Sequence, residues 1–190
     1  LNTNNSRIEN ITGNRDYWSG VWMEHCANST VSGCNLENNT WRALSMRFCA
    51  NVVVSGNIAK RNGLYGISIY LSSGNTICNN VIAENAHGTS PSSGLYLYGS
   101  NNTVVGNDVI DNEAHGILIV EAGNNTLFRN NIRNNDVVDD EGPNNWDNGA
   151  EGNFWGSYAG LDLNQDGIGD TPQIINDYSY DHYPLMEPWV

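Results

Sequence analysis

The run Asn101-Asn102-Thr103-Val104 returns 23 residues later as Asn124-Asn125-Thr126-Leu127. The same frame occurs earlier at Asn5-Ser6-Arg7-Ile8, Asn28-Ser29-Thr30-Val31, Asn51-Val52-Val53-Val54 and Gly74-Asn75-Thr76-Ile77, so successive rows are 23, 23, 23, 27 and 23 residues apart. A fixed period of this length marks a solenoid, because one such unit cannot bury an apolar face alone and must stack on its neighbours.

Two more columns share the period. Eight positions after each core aliphatic stand Asp16, Asn39, Asn62, Asn85, Asn112 and Asn135. Asparagine tolerates the left-handed backbone that sharp corners need, and stacked amides can bond from coil to coil, so this column predicts a corner ladder. The other column reads Gly20-Val21-Trp22-Met23, Ala43-Leu44-Ser45-Met46, Gly66-Ile67-Ser68-Ile69, Gly94-Leu95-Tyr96-Leu97 and Gly116-Ile117-Leu118-Ile119. Its period of two is that of a strand with one buried face. Val21, Met23, Leu44, Met46, Ile67, Ile69, Leu95, Leu97, Ile117 and Ile119 are expected inside, and Trp22, Ser45, Ser68, Tyr96 and Leu118 outside.

The predicted fold is all-β, a right-handed parallel β-helix of about six 23-residue coils over residues 1–135, rising about 4.8 Å per coil to a rod of about 29 Å. A leucine-rich repeat lacks its consensus frame here, and propeller blades need longer units. After Asn135 the register fails, and residues 136–190 are expected to form an irregular C-terminal cap over the exposed strand edges. No covering segment precedes the first coil, so further coils upstream, or contact of that edge with another molecule, are expected. The extra residues of the fourth coil fall at Ala86-His87-Gly88-Thr89-Ser90-Pro91-Ser92-Ser93, a loop expected to rim a groove.

Composition narrows the function classes. Eight Lys+Arg against 21 Asp+Glu give a formal charge of −13, and Lys60 is the single lysine, so the summed field repels phosphate backbones and nucleic acid is not an expected partner. Asparagine stands at about one position in six, a turn-rich β composition, and six Trp with nine Tyr supply apolar area that disordered chains lack. No apolar run is long enough for a spanning helix, so direct membrane insertion is not expected. Leu1-Asn2-Thr3-Asn4-Asn5 is no signal peptide, and any targeting segment is expected to have been removed or to lie outside this sequence. Cys26, Cys34, Cys49 and Cys78 form neither a C-x-x-C pair nor a disulfide scaffold. Asn-x-Ser/Thr occurs at Asn4, Asn10, Asn28, Asn38, Asn101 and Asn124, mostly as turn chemistry of the repeat.

Three constellations carry candidate chemistry. Asp162-x-Asn164-x-Asp166-Gly167-Ile168-Gly169-Asp170 sets oxygen side chains at positions 1, 3, 5 and 9, a glycine at 6 and the carbonyl of Ile168 at 7, which is the pattern of a calcium loop. Position 12 is Gln173 instead of a bidentate Glu. Structural Ca2+ held by Asp162, Asn164, Asp166, Ile168 and Asp170 is expected. Trp22, Tyr70, Tyr96 and Tyr98 lie on the outside of the third strand column, where exposed rings can stack on sugars. Glu84 and Asp111 occupy one column on successive coils, with Arg61 before them and His87 and His115 just beyond, as candidates for an acid–base pair. A solvated mixed-charge face explains that column equally well.

The tail Asn145-Trp146-Asp147-Asn148-Gly149-Ala150-Glu151-Gly152-Asn153-Phe154-Trp155-Gly156-Ser157-Tyr158, then Asp162 to Pro172, then Asp181-His182-Tyr183-Pro184-Leu185-Met186, resembles the ending of NosD-like β-helix proteins of the carbohydrate-binding-and-sugar-hydrolase (CASH) type. The resemblance covers the last 45 or so residues closely and the repeats loosely. It implies a right-handed β-helix and an exported protein, at an archaeal surface or in a bacterial periplasm, and leaves the activity open. It also implies copper, for which Met23, Met46, Cys26 and Cys49 are soft donors one coil apart in two columns. Free Cys and Met are ordinary core residues, and core packing is the expectation for all four.

The sequence supports first a non-catalytic extracellular, cell-surface or periplasmic module, either structural or adhesive or glycan-binding, whose partner is polysaccharide or neighbouring copies of itself. A glycan-active enzyme (polysaccharide lyase, hydrolase or uronate epimerase) is the second reading, and a copper-site accessory protein of NosD type the third.

Overall fold

In the computed structural model the chain is an all-β parallel solenoid of about six coils. The structure describes residues 1–87, 92–135 and 137–190, with the backbone alone at Val137 and Asp139. Among the described residues there is no helix, and three parallel sheets of six strands run along the stack. The first sheet contains Arg7–Glu9, Thr30–Ser32, Val53–Ser55, Thr76–Cys78, Thr103–Val105 and Thr126–Phe128. Its register pairs Ile8 with Val31, Val31 with Val54, Val54 with Ile77, Ile77 with Val104 and Val104 with Leu127, one aliphatic per coil. The second sheet contains Asn35–Glu37, Ile58–Lys60, Val81–Ala83, Asp108–Ile110, Asn131–Arg133 and Phe154–Trp155. The third contains Ser19–Glu24, Arg42–Arg47, Tyr65–Tyr70, Ser93–Tyr98, His115–Ile119 and Val137–Asp140.

The ten side chains expected inside on the third sheet are all buried. The small residue at the second position of its first five strands has a steric cause. A Cβ at Gly66 would come within 2.6 Å of the Gly94 carbonyl oxygen and 2.8 Å of Asn85 Nδ2, and one at Gly116 would meet Asn135 Cγ at 2.6 Å.

The corner ladder expected at Asn39 to Asn135 is present. Asn62 Nδ2 donates to Asn85 Oδ1 at 2.9 Å, and Asn85 to Asn112 and Asn112 to Asn135 at 3.0 Å, while each backbone N–H donates to the same acceptor. Two more ladders occupy the other corners. One runs Asn57, Asn80, Asn107, Asn130 and Asn153, the other Asn75, Asn102, Asn125 and Asn144. In the regular coils, before every ladder amide but Asn144 and Asn153, the preceding residue bends left-handed: Arg61, Glu84 and Asp111 have φ of 54°, 53° and 55°. Corner and ladder are therefore one device, a left-handed bend followed by an amide that closes the turn.

Beyond Asn135 the repeat motif is lost but the stacking runs on. Val137–Asp140 pairs with His115–Ile119, Phe154–Trp155 pairs with Asn131–Arg133, and Asn144 and Asn153 extend two ladders. Trp146 and Trp155, rings 5.5 Å apart, fill the end of the core. Each indole N–H is met by a buried carboxylate, Trp146 by Asp140 at 2.8 Å and Trp155 by Asp181 at 2.7 Å. An antiparallel hairpin of Gln173–Asn176 and Ser179–Asp181 carries the second of these. Of the loop expected to rim a groove, residues 88–91 lie outside the described residues.

Candidate functional site

Outward positions of the third sheet are set by its register. Trp22, Ser45, Ser68 and Tyr96 form one row across four coils and Glu24, Arg47, Tyr70 and Tyr98 a second, while at the strand starts Ser19, Arg42, Tyr65 and Ser93 are paired in turn, of which Arg42 and Tyr65 reach the same face. Two serines between two large rings leave a gap two coils wide. The result is a cleft of about 240 Å³ lined by Trp22, Arg42, Ser45, Arg47, Tyr65, Ser68, Tyr70 and Tyr96.

Ser45, Ser68 and Leu118 point outward, as the alternation requires, yet none meets solvent: their exposures are 4%, 3% and 5%. Ser68, placed on the outer side by the alternation, is the floor of a cleft whose walls are long aromatic and arginine side chains.

Trp22, Tyr70 and Tyr96 of the expected sugar platform are brought together in this cleft, and Tyr98 stands beside it, edge-on to Tyr70 at 5.0 Å. The Tyr98 hydroxyl donates to Glu121 at 3.0 Å, and this bond with Glu121's charge raises its pKa. Burial, with neighbouring phenols adding to it, lifts Tyr96 to about 12. Tyr65 stacks on Tyr96 at 4.8 Å and is likewise raised by burial, against the opposing pull of Arg42.

Arg42 and Arg47 are functional candidates that the sequence reading passed over. The Arg42 guanidinium lies over Trp41 at 5.6 Å and over Tyr65 at 5.4 Å, and burial holds its pKa below the ordinary value. Its Nε is buried without a hydrogen-bond partner, and Arg42 makes no ion pair among the described residues. Arg47 lies over Phe48 and Tyr70 and faces Glu24 at 3.8 Å. The aromatic surface continues beyond the cleft through Trp41 to Trp18 at 5.0 Å and Tyr17 at 5.6 Å from Trp18, both well exposed. The available signal was the column two residues before the first inward aliphatic, where Arg42 and Tyr65 replace serine or histidine.

The candidate acid–base column is arranged differently. Arg61 pairs with both Glu84, at 3.2 Å, and Glu37, and Lys60 reaches Glu84 at 3.9 Å. His87 Nδ1 pairs with Glu113 at 2.7 Å, and its Nε2 lies 2.8 Å from the Glu84 carbonyl. His115 belongs to the third sheet, with Nδ1 3.1 Å from the Ser92 carbonyl. Asp111 is exposed at its corner and makes no ion pair among the described residues.

In the cap, the Asp162 loop is folded on its own amides. Asp162 accepts from Asp166 N at 3.2 Å and Gly167 N at 2.9 Å, Asp166 from Ile168 N at 2.9 Å, and Asp170 from Leu163 N at 2.7 Å, while Asn164 Oδ1 accepts from Asp166 N at 3.2 Å. Gly167, at φ +86°, makes the sharp turn. Two backbone bonds, Gly169 N to the Pro184 carbonyl and Met186 N to the Gly167 carbonyl, tie the loop to the tail.

A coiled stack with amide ladders at its corners and an aromatic cleft on one sheet defines the class: a parallel β-solenoid protein. The family is shown directly, since a family model described as periplasmic copper-binding protein (NosD) matches residues 1–160, and the chain belongs to this family. The family's description supports a periplasmic or extracellular location. The matched segment ends before the Asp162 loop. A search of curated proteins found no match to the chain.

The family's description raises copper, and the donors present can be tested for it. Met23, Met46, Cys26 and Cys49 are buried in the core. The Cys26 thiol donates to the carbonyls of Leu1 and Glu24 and the Cys49 thiol to that of Arg47, and burial raises the Cys49 pKa, which disfavours the thiolate a soft metal needs. Among the described residues no three His, Cys, Asp or Glu side chains gather as the ligands of an ion. These residues do not fit a copper centre.

Proposed function

We propose that this protein is a non-catalytic carbohydrate-binding module working outside the cytoplasm, with the cleft on the third sheet as its sugar site. The observation that carries the reading is the cleft itself, in which Trp22, Tyr70 and Tyr96 stand around a floor of two serines. Aromatic rings with a polar handle suit sugars, which present apolar C–H faces and hydroxyl edges together. Tyr96 keeps its phenolic proton up to about pH 12 and so offers a neutral hydroxyl throughout the physiological range. The pairing of Glu84 with Arg61 and Lys60 favours a solvated ionic corner over a catalytic pair. The Asp162 loop is proposed to take a structural calcium ion that stiffens the cap.

Affinity electrophoresis through gels containing polysaccharides tests the reading. Trp22→Ala and Tyr96→Ala are expected to lose retardation, and Glu84→Gln with Asp111→Asn to keep it. Release of reducing ends or unsaturated sugar that disappears in the Glu84/Asp111 double variant would make the protein an enzyme instead.

A further inference from the structure

Five of the eight basic side chains, Arg7, Arg47, Lys60, Arg61 and Arg129, are paired with carboxylates. Arg15 and Arg133 are exposed to water. Among the described residues Arg42 alone is a half-buried cation with no acid beside it, and this in a chain of charge −13. The ionisable groups acting on it are the phenols of Tyr65 and Tyr96. A guanidinium taken partly out of water without a counter-charge is costly. The rings of Trp41 and Tyr65 over which it lies offer no carboxylate oxygen, and its N–H donors, which lie in the guanidinium plane, call for one. The edge remains to be satisfied, and Nε, buried and unpartnered, belongs to it.

We infer that the glycan bound here is acidic, the carboxylate of a uronic-acid residue meeting the in-plane donors of Arg42 while its ring lies against Trp22 and Tyr96. The inference rests on the cleft's being a sugar site. Guanidinium and carboxylate are both planar, and two parallel N–H···O bonds join them edge to edge. In a uronate chair an equatorial carboxylate lies close to the mean plane of the ring, so a ring stacked on an aromatic face presents its carboxylate sideways, toward a flanking arginine. The cleft, about 240 Å³, is below the roughly 300–1,000 Å³ of pockets for drug-sized ligands and suits a single sugar unit. The exposed rings of Trp18 and Tyr17 extend the surface for the next units of a chain. Overall negative charge works against non-specific capture of polyanions, so retention of an acidic glycan requires local recognition.

The test is affinity electrophoresis of the intact protein against polygalacturonate, alginate and hyaluronate, against carboxyl-reduced forms of the same three polymers, and against dextran sulfate. At least one uronate polymer is expected to bind about tenfold more tightly than its reduced form, the scale of one charge-assisted contact. Arg42→Gln is expected to remove that difference, with Arg42→Lys restoring little of it. Equal retention on native and reduced polymers, abolished in Trp22→Ala, would overturn the acidic-ligand inference and leave the sugar site standing. Retention on dextran sulfate equal to that on the uronates would also overturn it. No retention on any of these polymers would overturn both readings. The comparison of native and reduced polymers uses the unaltered protein, so it does not depend on how any variant folds.

Discussion

The indole N–H of Trp155 donates to Asp181 at 2.7 Å inside the closed end of the solenoid, and the same carboxylate accepts from Asn153 N at 2.7 Å and Tyr183 N at 3.0 Å. Every group facing Asp181 in these bonds is a donor. Asparagine has nearly the same shape but brings an NH2 group where an acceptor is required. Asp181→Asn is therefore expected to destabilise by about 2–4 kcal/mol, as a buried network with one member reversed does. Urea unfolding followed by tryptophan fluorescence measures it, and an unchanged midpoint would show that the cap does not depend on this network.

Asn85 stands in mid-ladder, donating to Asn112 Oδ1 and accepting from Asn62. Asn85→Asp replaces the donor with a second acceptor and buries a charge, for an expected loss of about 3–5 kcal/mol. Asn85→Ala should cost less, about 2–3 kcal/mol, because it removes the acceptor for Asn62 without adding a charge. Thermal melts of the two variants give the order, and a reversed order would disprove the ladder's role.

Ile67 and Ser68 are neighbours on opposite faces of one strand. Ile67→Asp puts a carboxylate into the closed core and is expected to prevent folding. Ser68→Asp puts one on the floor of the cleft that Arg42 and Arg47 also line. It is expected to leave the fold intact and to block acidic-glycan binding by supplying the arginines with an internal partner. Circular dichroism separates the first effect and affinity electrophoresis the second; a folded Ser68→Asp that still binds would place the ligand elsewhere.

These two residues also mark how far the sequence was legible. The period of two placed Ile67 inside correctly, because that pattern is a property of the strand alone. It also gave Ser68's direction but not its burial, which depends on long side chains contributed by other coils. Asn39 to Asn135 could be read as a ladder because the amides recur in every coil from the second to the sixth. The ladders from Asn57 and Asn75 start later, with Cys34 and Val52 in the corresponding places, and their columns were diluted. The column read from the sequence ends at Asn135, whereas Asn153 keeps the 23-residue step from Asn130 without the repeat motif around it, and Asn144 comes 19 residues after Asn125. Arg42 was passed over because an arginine at one coil of one column carries no periodic signal. Its meaning lies in the missing acid, which only packing reveals.

Tyr96 is held neutral to about pH 12 by burial and by the phenols around it. A phenol whose folded pKa exceeds its unfolded value of about 10 contributes stability that is fully present below pH 10 and is lost as pH rises through about 12. Spectroscopic titration of phenolate should accordingly show a late component that Tyr96→Phe diminishes, the remainder belonging to Tyr65 and Tyr98, whose values are also raised. A late component undiminished in Tyr96→Phe would mean that the ring is more open to water than the cleft implies.

Asp162, Asp166 and Asp170 bring three carboxylates and Asn164 an amide into nine residues, and the backbone amides they now accept use only part of their oxygen lone pairs. All four side chains are exposed or partly so and can turn toward a shared ion. Calcium takes six to eight oxygen ligands at about 2.3–2.6 Å in irregular geometry, whereas magnesium requires a tighter octahedron, so calcium is the expected ion. An ion that binds the folded cap and not the unfolded chain stabilises by mass action, by about 2.7 kcal/mol at a hundredfold excess over its dissociation constant. For a chain of this length that corresponds to a shift of about 5–10 °C in Tm. EDTA is expected to lower Tm by that amount, calcium to restore it better than magnesium, and Asp166→Ala to abolish the response. Melting curves that ignore EDTA, with no calcium taken up in equilibrium dialysis, would reduce the motif to a turn held by its own amides.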